Sequence, residues 1–279
     1  MKTFKITIVF LAMMSLGFSQ TPSIKTEVLG KGTPIIYLPG FTTPGSIWKE
    51  TINNITLKNE AHLISYAGFN GNDPIAMPWY NTIKNELVNY IKNHKLKNVT
   101  IIGHSMGGNL ATELASTLPN HIDKLIIVDA IPCMRELMMP GVPASQIQYE
   151  SPYNKQVLAM NEEQFKQTAT MMAQNMTNTP EKIETLIEWI MVADRKTYVY
   201  GYTDLLKVDL RPTLNSINAK TLILGASFPN VEIAQSNFEK QYASLANKTI
   251  EMAPKSRHFI MFDQPEWFYK QVNAFLTNE

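Results

Sequence analysis

Ser105 stands in Gly103-His104-Ser105-Met106-Gly107-Gly108, after an apolar run at 99–102 and before a helix-like run at 109–118. A strand, a Gly-x-Ser-x-Gly turn and a helix in that order form a nucleophile elbow, which lifts a serine hydroxyl out of the sheet toward a substrate. Backbone strain is stored at such a turn, and side chains in place of Gly103 or Gly107 would crowd it. The N–H of Met106, at the helix start, is aimed at a developing oxyanion.

A serine hydroxyl needs a base to take its proton. The chain has five histidines. His104 is locked inside the elbow and points away from Ser105 by strand alternation. His62 and His94 precede the elbow, and His121 lies just past its helix. His258 follows a strand-like run at 249–252 and precedes the final helix-like run. It therefore belongs to a loop at the top of the sheet and is the candidate base. Leu38-Pro39-Gly40-Phe41 ends a further apolar run at the same edge. Gly40 lets backbone approach closely, so the Phe41 N–H pairs with the Met106 N–H as an oxyanion hole.

These residues need a frame. Apolar strand-like runs at 34–38, 61–66, 99–102, 124–128, 221–224 and 249–252 alternate with helix-like runs at 46–55, 79–93 and 264–276. Ile83, Leu87, Tyr90 and Ile91 mark one helix by their spacing. The alternation predicts an α/β fold: a mostly parallel twisted sheet flanked by helices, with ligands at the carboxyl ends of the strands. Residues 132–210 break the rhythm. They read as helices, around 161–175 and 180–193, and carry more than half of the chain's 15 methionines. Inserted after the strand ending at Asp129, they form a helical cap, and methionine suits a lid that adapts to apolar ligands. The core is then 20–131 and 211–279.

At 279 residues the chain is long enough for one large domain with an insertion. Its net charge of +1 gives no argument for a nucleic acid or an anionic membrane as partner. No dinucleotide fingerprint, P-loop or Cys/His cluster is present, so no cofactor and no metal are expected. Lys2 and Lys5, an uncharged apolar run at 6–18 and the small residues Gly17 and Ser19 read as a signal peptide at 1–19. The apolar run is shorter than the ~20 residues that span a bilayer. A secreted or periplasmic protein without a stable membrane anchor is expected. Cys133 has no second cysteine to pair with and is expected to be buried. Oligomeric state leaves no mark in the sequence.

Leu-Pro-Gly-Phe, Gly-His-Ser-Met-Gly-Gly and Arg-His-Phe before a terminal helix resemble the α/β-hydrolase superfamily, closest to its cap-bearing, serine esterase-like branch. Serine at position 105 resembles the ester-hydrolysing members and argues against dehalogenase or epoxide hydrolase chemistry, which uses a carboxylate nucleophile. The resemblance implies an aspartate after the strand at 221–224, but Gly225-Ala226-Ser227-Phe228-Pro229-Asn230 contains no acid. A minority of the superfamily places the acid at the strand end where Asp129 stands. Asp129 is thus the expected partner of His258, with Glu232 as the alternative. Asp204 and Asp209 are expected to guide the chain back from the cap, and Asp263 to cap the last helix.

The reading is a serine hydrolase cleaving carboxylic esters of small to medium apolar substrates through an acyl-enzyme. Amidase, peptidase or lactonase chemistry with the same triad stays open; Glu150 or Glu163 would have to hold a peptide amine. So does a non-catalytic binding protein on this fold.

Overall fold

The computed structural model describes residues 21–277. The expected signal peptide lies outside the described residues. Seven strands form one sheet: β1 Ile24–Gly30, β2 Thr33–Leu38, β3 Asn59–Tyr66, β4 Val99–His104, β5 Ile122–Val128, β6 Lys220–Ala226 and β7 Lys248–Ala253. Their order is β1-β3-β2-β4-β5-β6-β7. β1 pairs with β3 antiparallel, and every other neighbour is parallel. β4 is buried on both faces along its whole length, as its apolar composition demands of a central parallel strand.

Helices α1 Lys49–Asn54, α2 Trp79–Asn93 and α3 Met106–Thr117 precede or follow the first strands. Five more lie between β5 and β6: α4 Met134–Met138, α5 Pro152–Ala159, α6 Glu162–Met176, α7 Ile183–Met191 and α8 Arg195–Lys207. α9 Val231–Gln241, the short α10 Ile260–Asp263 and α11 Pro265–Thr277 complete the chain. One apolar cluster joins α2, α3 and α9 to one face of the sheet through Ile83, Leu110 and Phe238. A second joins α11 and the inserted helices to the other, through Phe268, Val272 and Phe165. No helix among the described residues is long and apolar enough to cross a membrane.

The sheet has its switch point at β2. From β2 the chain goes to β3 on one side, while β4 lies on the other. In such sheets the crevice between the two diverging connections is where ligands bind. Leu38 is in register with Gly103 there, so the Pro39-Gly40-Phe41 turn runs beside the elbow.

Two expectations from the sequence change. β1 has no counterpart among the strand-like runs. It is an antiparallel edge strand with little burial, so its hydrophobic pattern is weak. Within the insertion, α4, α5 and α8 add to the two helices that the pattern marks. α2, by contrast, spans the helix expected at 79–93.

Candidate active site

Ser105 has φ 54° and ψ −126°, a conformation unusual for a residue with a side chain. The glycines around it are sterically obligatory. A Cβ on Gly103 would fall on the carbonyl of Gly107, and a Cβ on Gly107 on the carbonyls of Leu38 and Pro39. These obstacles are backbone and cannot swing away. The elbow is therefore wedged against β2 as well as against its own helix.

Met106 is the first residue of α3. The first N–H groups of a helix have no partner within it. The Ser105 carbonyl receives the N–H groups of Gly108 and Asn109, which leaves the Met106 N–H facing the turn. Across the crevice, a Cβ on Gly40 would lie 3.3 Å from the Ser105 Cβ and 3.0 Å from the His104 ring. That closeness brings the Phe41 backbone alongside Ser105. The loop is pinned by Asn70, which donates to the Thr42 carbonyl (2.8 Å), and by the Thr43 N–H, which donates to the Gly40 carbonyl (3.2 Å).

His258 lies in the loop between β7 and α10. Its Nδ1–H donates to Asp129 Oδ2 at 2.6 Å. Asp129 follows the end of β5 with φ 44°. Its other oxygen accepts the Ala226 N–H at 2.8 Å, and its own N–H donates to the Leu224 carbonyl at 2.8 Å. The bonds with Ala226 and Leu224 thus aim this carboxylate at His258. Glu232, the alternative acid, is exposed in the first turn of α9.

His104 lies beside the site, its ring against that of His258 and lining the cavity into which Ser105 opens. It is fully buried, and burial beside His258 holds its pKa well below the usual histidine range. It is neutral, and its Nε2–H donates to the His258 carbonyl at 2.9 Å. Its ring centroid lies 4.6 Å from that of His258. The residue preceding Ser105 therefore holds the backbone of the candidate base. No spacing in the chain signals this.

Ser105, His258 and Gly40 open into one cavity of about 460 Å³, walled by residues 41–43, His104 and Phe259 on their own side and by α4 to α8 opposite. Met172, Met176, Trp189, Tyr198 and Tyr202 line it, and no Asp, Glu, Lys or Arg does. Tyr198 and Tyr202 are one helical turn apart on α8, a spacing the sequence displays. Their hydroxyls donate to thioethers: Tyr198 to Met172 at 3.1 Å, Tyr202 to Met138 at 3.2 Å and Met134 at 3.5 Å. Met138 and Tyr153 line the cavity yet are 53% and 67% exposed, so they mark its mouth. Of the methionines in the insertion, Met134, Met138, Met172 and Met176 reach the cavity, whereas Met139, Met160, Met171 and Met191 do not. Among the described residues no group of three or more His, Cys, Asp or Glu is placed to hold a metal.

A model of the family described as the alpha/beta hydrolase family matches residues 35–271. The chain belongs to that family. A curated relative, the pimeloyl-[acyl-carrier protein] methyl ester esterase of Aeromonas hydrophila, is 23% identical over 270 residues, covering 91% of this chain and 99% of that one. An esterase from Exiguobacterium antarcticum superposes with a TM-score of 0.72 at 20% identity, covering 91% of this chain and 96% of the other. The enol-lactonase of Burkholderia xenovorans LB400 superposes with a TM-score of 0.74 at 14% identity, covering 91% and 96%. These likenesses show the fold. A fold shared by esterase and lactonase leaves the choice of substrate to the site itself.

The other acids lie outside the cavity lining. Asp263 does not cap α11. Its carboxylate accepts from Thr177, Asn178, Thr179 and Arg257. Asp204 caps α2 from α8, accepting the Trp79 and Tyr80 N–H groups at 2.7 and 3.3 Å. Asp209 pairs with Arg211 at 2.6 Å, which holds its carboxyl below the usual range. Glu150 accepts from the Tyr200 hydroxyl at 2.6 Å, Glu163 is exposed in the first turn of α6, and neither lines the cavity. Cys133 is buried.

Proposed function

We propose that this protein is a serine hydrolase that cleaves uncharged carboxylic esters with an apolar acyl group of small to medium size. One observation carries the reading: a histidine bonded to an aspartate at 2.6 Å opens into the same apolar cavity as a serine held at positive φ. Ser105 Oγ attacks the ester carbonyl carbon while His258 Nε2 takes its proton. Asp129 fixes the His258 tautomer and balances the imidazolium charge. The Phe41 and Met106 N–H groups hold the tetrahedral oxyanion. Collapse expels the alcohol, which receives the proton from His258. Water, deprotonated by His258, then attacks the acyl-enzyme, and the acid departs with Ser105 restored.

The neutral cavity supports an uncharged ligand, since a charge buried there would lack a partner. The name of the Aeromonas relative points to ester chemistry as well. A lactone is a cyclic ester and uses the same steps, so lactonase activity is the companion reading. A peptidase that grips a free amine is disfavoured, because Glu150 and Glu163 do not face the cavity.

The test is labelling with a fluorophosphonate, then hydrolysis of p-nitrophenyl esters from acetate to octanoate. We expect the wild type to be labelled and Ser105→Ala to be inert, with kcat lowered by roughly 10⁶. An unlabelled and inactive wild type sinks the proposal and favours a binding protein on this fold; an active Ser105→Ala sinks it by placing the nucleophile elsewhere. We further infer export of the chain through its segment 1–19; intact mass of the protein recovered outside the cytoplasm should match a chain without it.

A further inference from the structure

We propose that Asp263 is a positioning residue that fastens the inserted helices to the loop of His258, so that the wall of the acyl cavity and the base are set together. Its carboxylate bridges two segments. On one side, Oδ1 accepts from the Thr177 hydroxyl at 2.6 Å, the Asn178 N–H at 2.8 Å and the Thr179 hydroxyl at 3.1 Å. These residues join α6 to α7 within the insertion. On the other side, Oδ2 accepts the Arg257 N–H at 2.7 Å, one residue before His258.

Further bonds run along the same seam. The Phe259 N–H, one residue after His258, donates to the Met176 carbonyl at 3.0 Å. Arg257 Nε donates to the Asn178 side chain at 2.8 Å, and Asn178 Nδ2 to the Lys255 carbonyl at 2.9 Å. Thr177 is buried, and Met176 beside it lines the cavity. The N–H groups on both sides of His258 are therefore held by this seam, that of Arg257 through Asp263 and that of Phe259 through Met176, and a bond lost at Thr177 leaves both in place. A base misplaced by about 1 Å loses on the order of 100-fold in rate.

The four groups around the carboxylate include two backbone N–H groups that can only donate. An amide in its place offers one acceptor oxygen and one NH₂, so Asp263→Asn sets donor against donor at one end of the bridge. Thr177→Val acts at the insertion end alone, removing the hydroxyl that donates to Asp263 and accepts the Thr179 N–H.

This inference rests on His258 acting as the base, so the experiment keeps the two separable. Full-length wild type, Asp263→Asn, Thr177→Val and the double variant are titrated with fluorophosphonate to count working sites. Hydrolysis of p-nitrophenyl acetate and octanoate is then expressed per site, with thermal melting as a check on folding. For Asp263→Asn we expect kcat per site to fall by about 10- to 100-fold on both esters, with a raised KM on octanoate. For Thr177→Val we expect wild-type kcat on acetate and a raised KM on octanoate only. Restoring the aspartate at position 263 of the double variant should recover acetate turnover per site and leave the octanoate KM raised, which separates the two ends. Wild-type kcat and KM per site on both esters in a folded Asp263→Asn overturn the inference. Losses that vanish when counted per working site do so as well, since they reflect folding alone. If Asp263→Asn does not fold, an unchanged octanoate KM in Thr177→Val overturns it. A wild type that is never labelled overturns the hydrolase reading, and this inference with it.

Discussion

The elbow and the inserted helices face each other across one cavity and are built in opposite ways. Around Ser105 the obstacles are backbone: the glycines abut carbonyls, and β4 is buried between two parallel neighbours. Opposite, the obstacles are side-chain ends, four of them methionines and two of them tyrosines that donate to sulfur. A thioether on three rotatable bonds can repack around a new ligand; a carbonyl in a parallel ladder cannot. On the proposed reading, reaction geometry is thus fixed by the main chain, and ligand preference by side chains that yield. Substitutions on the elbow side should change rate or stability without changing the order of preferred esters. Substitutions on the far wall should change that order and leave the chemistry intact.

Asp129→Asn probes the first half most strongly. The amide can orient His258 wrongly and cannot balance its charge, so kcat should fall by about 10⁴ with KM little altered. The loss should be equal for acetate and octanoate. Glu232→Gln, on an exposed turn of α9, should hydrolyse both at the wild-type rate. A loss in Glu232→Gln, or a nearly active Asp129→Asn, would reverse the assignment of the acid.

Gly107→Ala comes next. Its new methyl meets the Leu38 and Pro39 carbonyls, and β2 is held by ladders on both sides. The cost should be about 3 kcal/mol or more, at the upper end for overpacking. Urea denaturation reads it directly. A melting curve like that of wild type would mean that the elbow yields as the far wall does, and the contrast would fail.

On the far wall, Met172→Ala removes a thioether and frees the Tyr198 hydroxyl. The octanoate-to-acetate ratio of kcat/KM should rise by about 10-fold, the scale that one or two methylene-sized contacts command. Active-site titration should stay complete. A uniform fall on both esters would show that this wall takes part in the chemistry.

How far each side can be read in the sequence follows from the same contrast. The elbow, Asp129, His258 and the Leu-Pro-Gly-Phe turn are local motifs tied to strand ends, and the alternation of strands and helices places strand ends. The fold departs from the pattern where tertiary packing overrides it. β1 exposes most of its residues. α8, Arg-Lys-Thr-Tyr-Val-Tyr-Gly-Tyr, is rich in aromatic and β-branched residues and has a glycine inside, none of which favours a helix. That glycine has a tertiary cause: a Cβ on Gly201 would lie 3.3 Å from the rings of both Phe41 and Trp79. Asp263 misleads because a carboxylate just before a helix signals a cap, whereas its partners at 177–179 lie more than 80 residues away. The bond from His104 to the His258 carbonyl spans 154 residues. No local spacing reports such pairs.

His104 offers the smallest and most specific test, because it stands on the rigid side yet can change charge. Its Nε2–H is committed to the His258 carbonyl. Its Nδ1 is buried without a hydrogen-bond partner among the described residues, facing Gly40. A second proton there would be buried, unpaired and next to His258, which is why its pKa lies well below that of an ordinary histidine. In the unfolded chain it titrates near about 6.5. Between that value and the depressed folded one, the unfolded state binds more protons. Stability is therefore full above about pH 6.5 and is lost as the pH falls from there toward the folded value. His62, also buried and also lowered, adds a loss of the same sign, so the effect must be read as a difference. His104→Gln keeps an N–H for the carbonyl and removes the titration. The urea midpoint of wild type should drop more steeply than that of the variant between about pH 6.5 and 5, while the two should run parallel above about pH 7. Parallel lines throughout would mean that His104 takes up its proton without cost, and that the main-chain side of the cavity has more give than its packing implies.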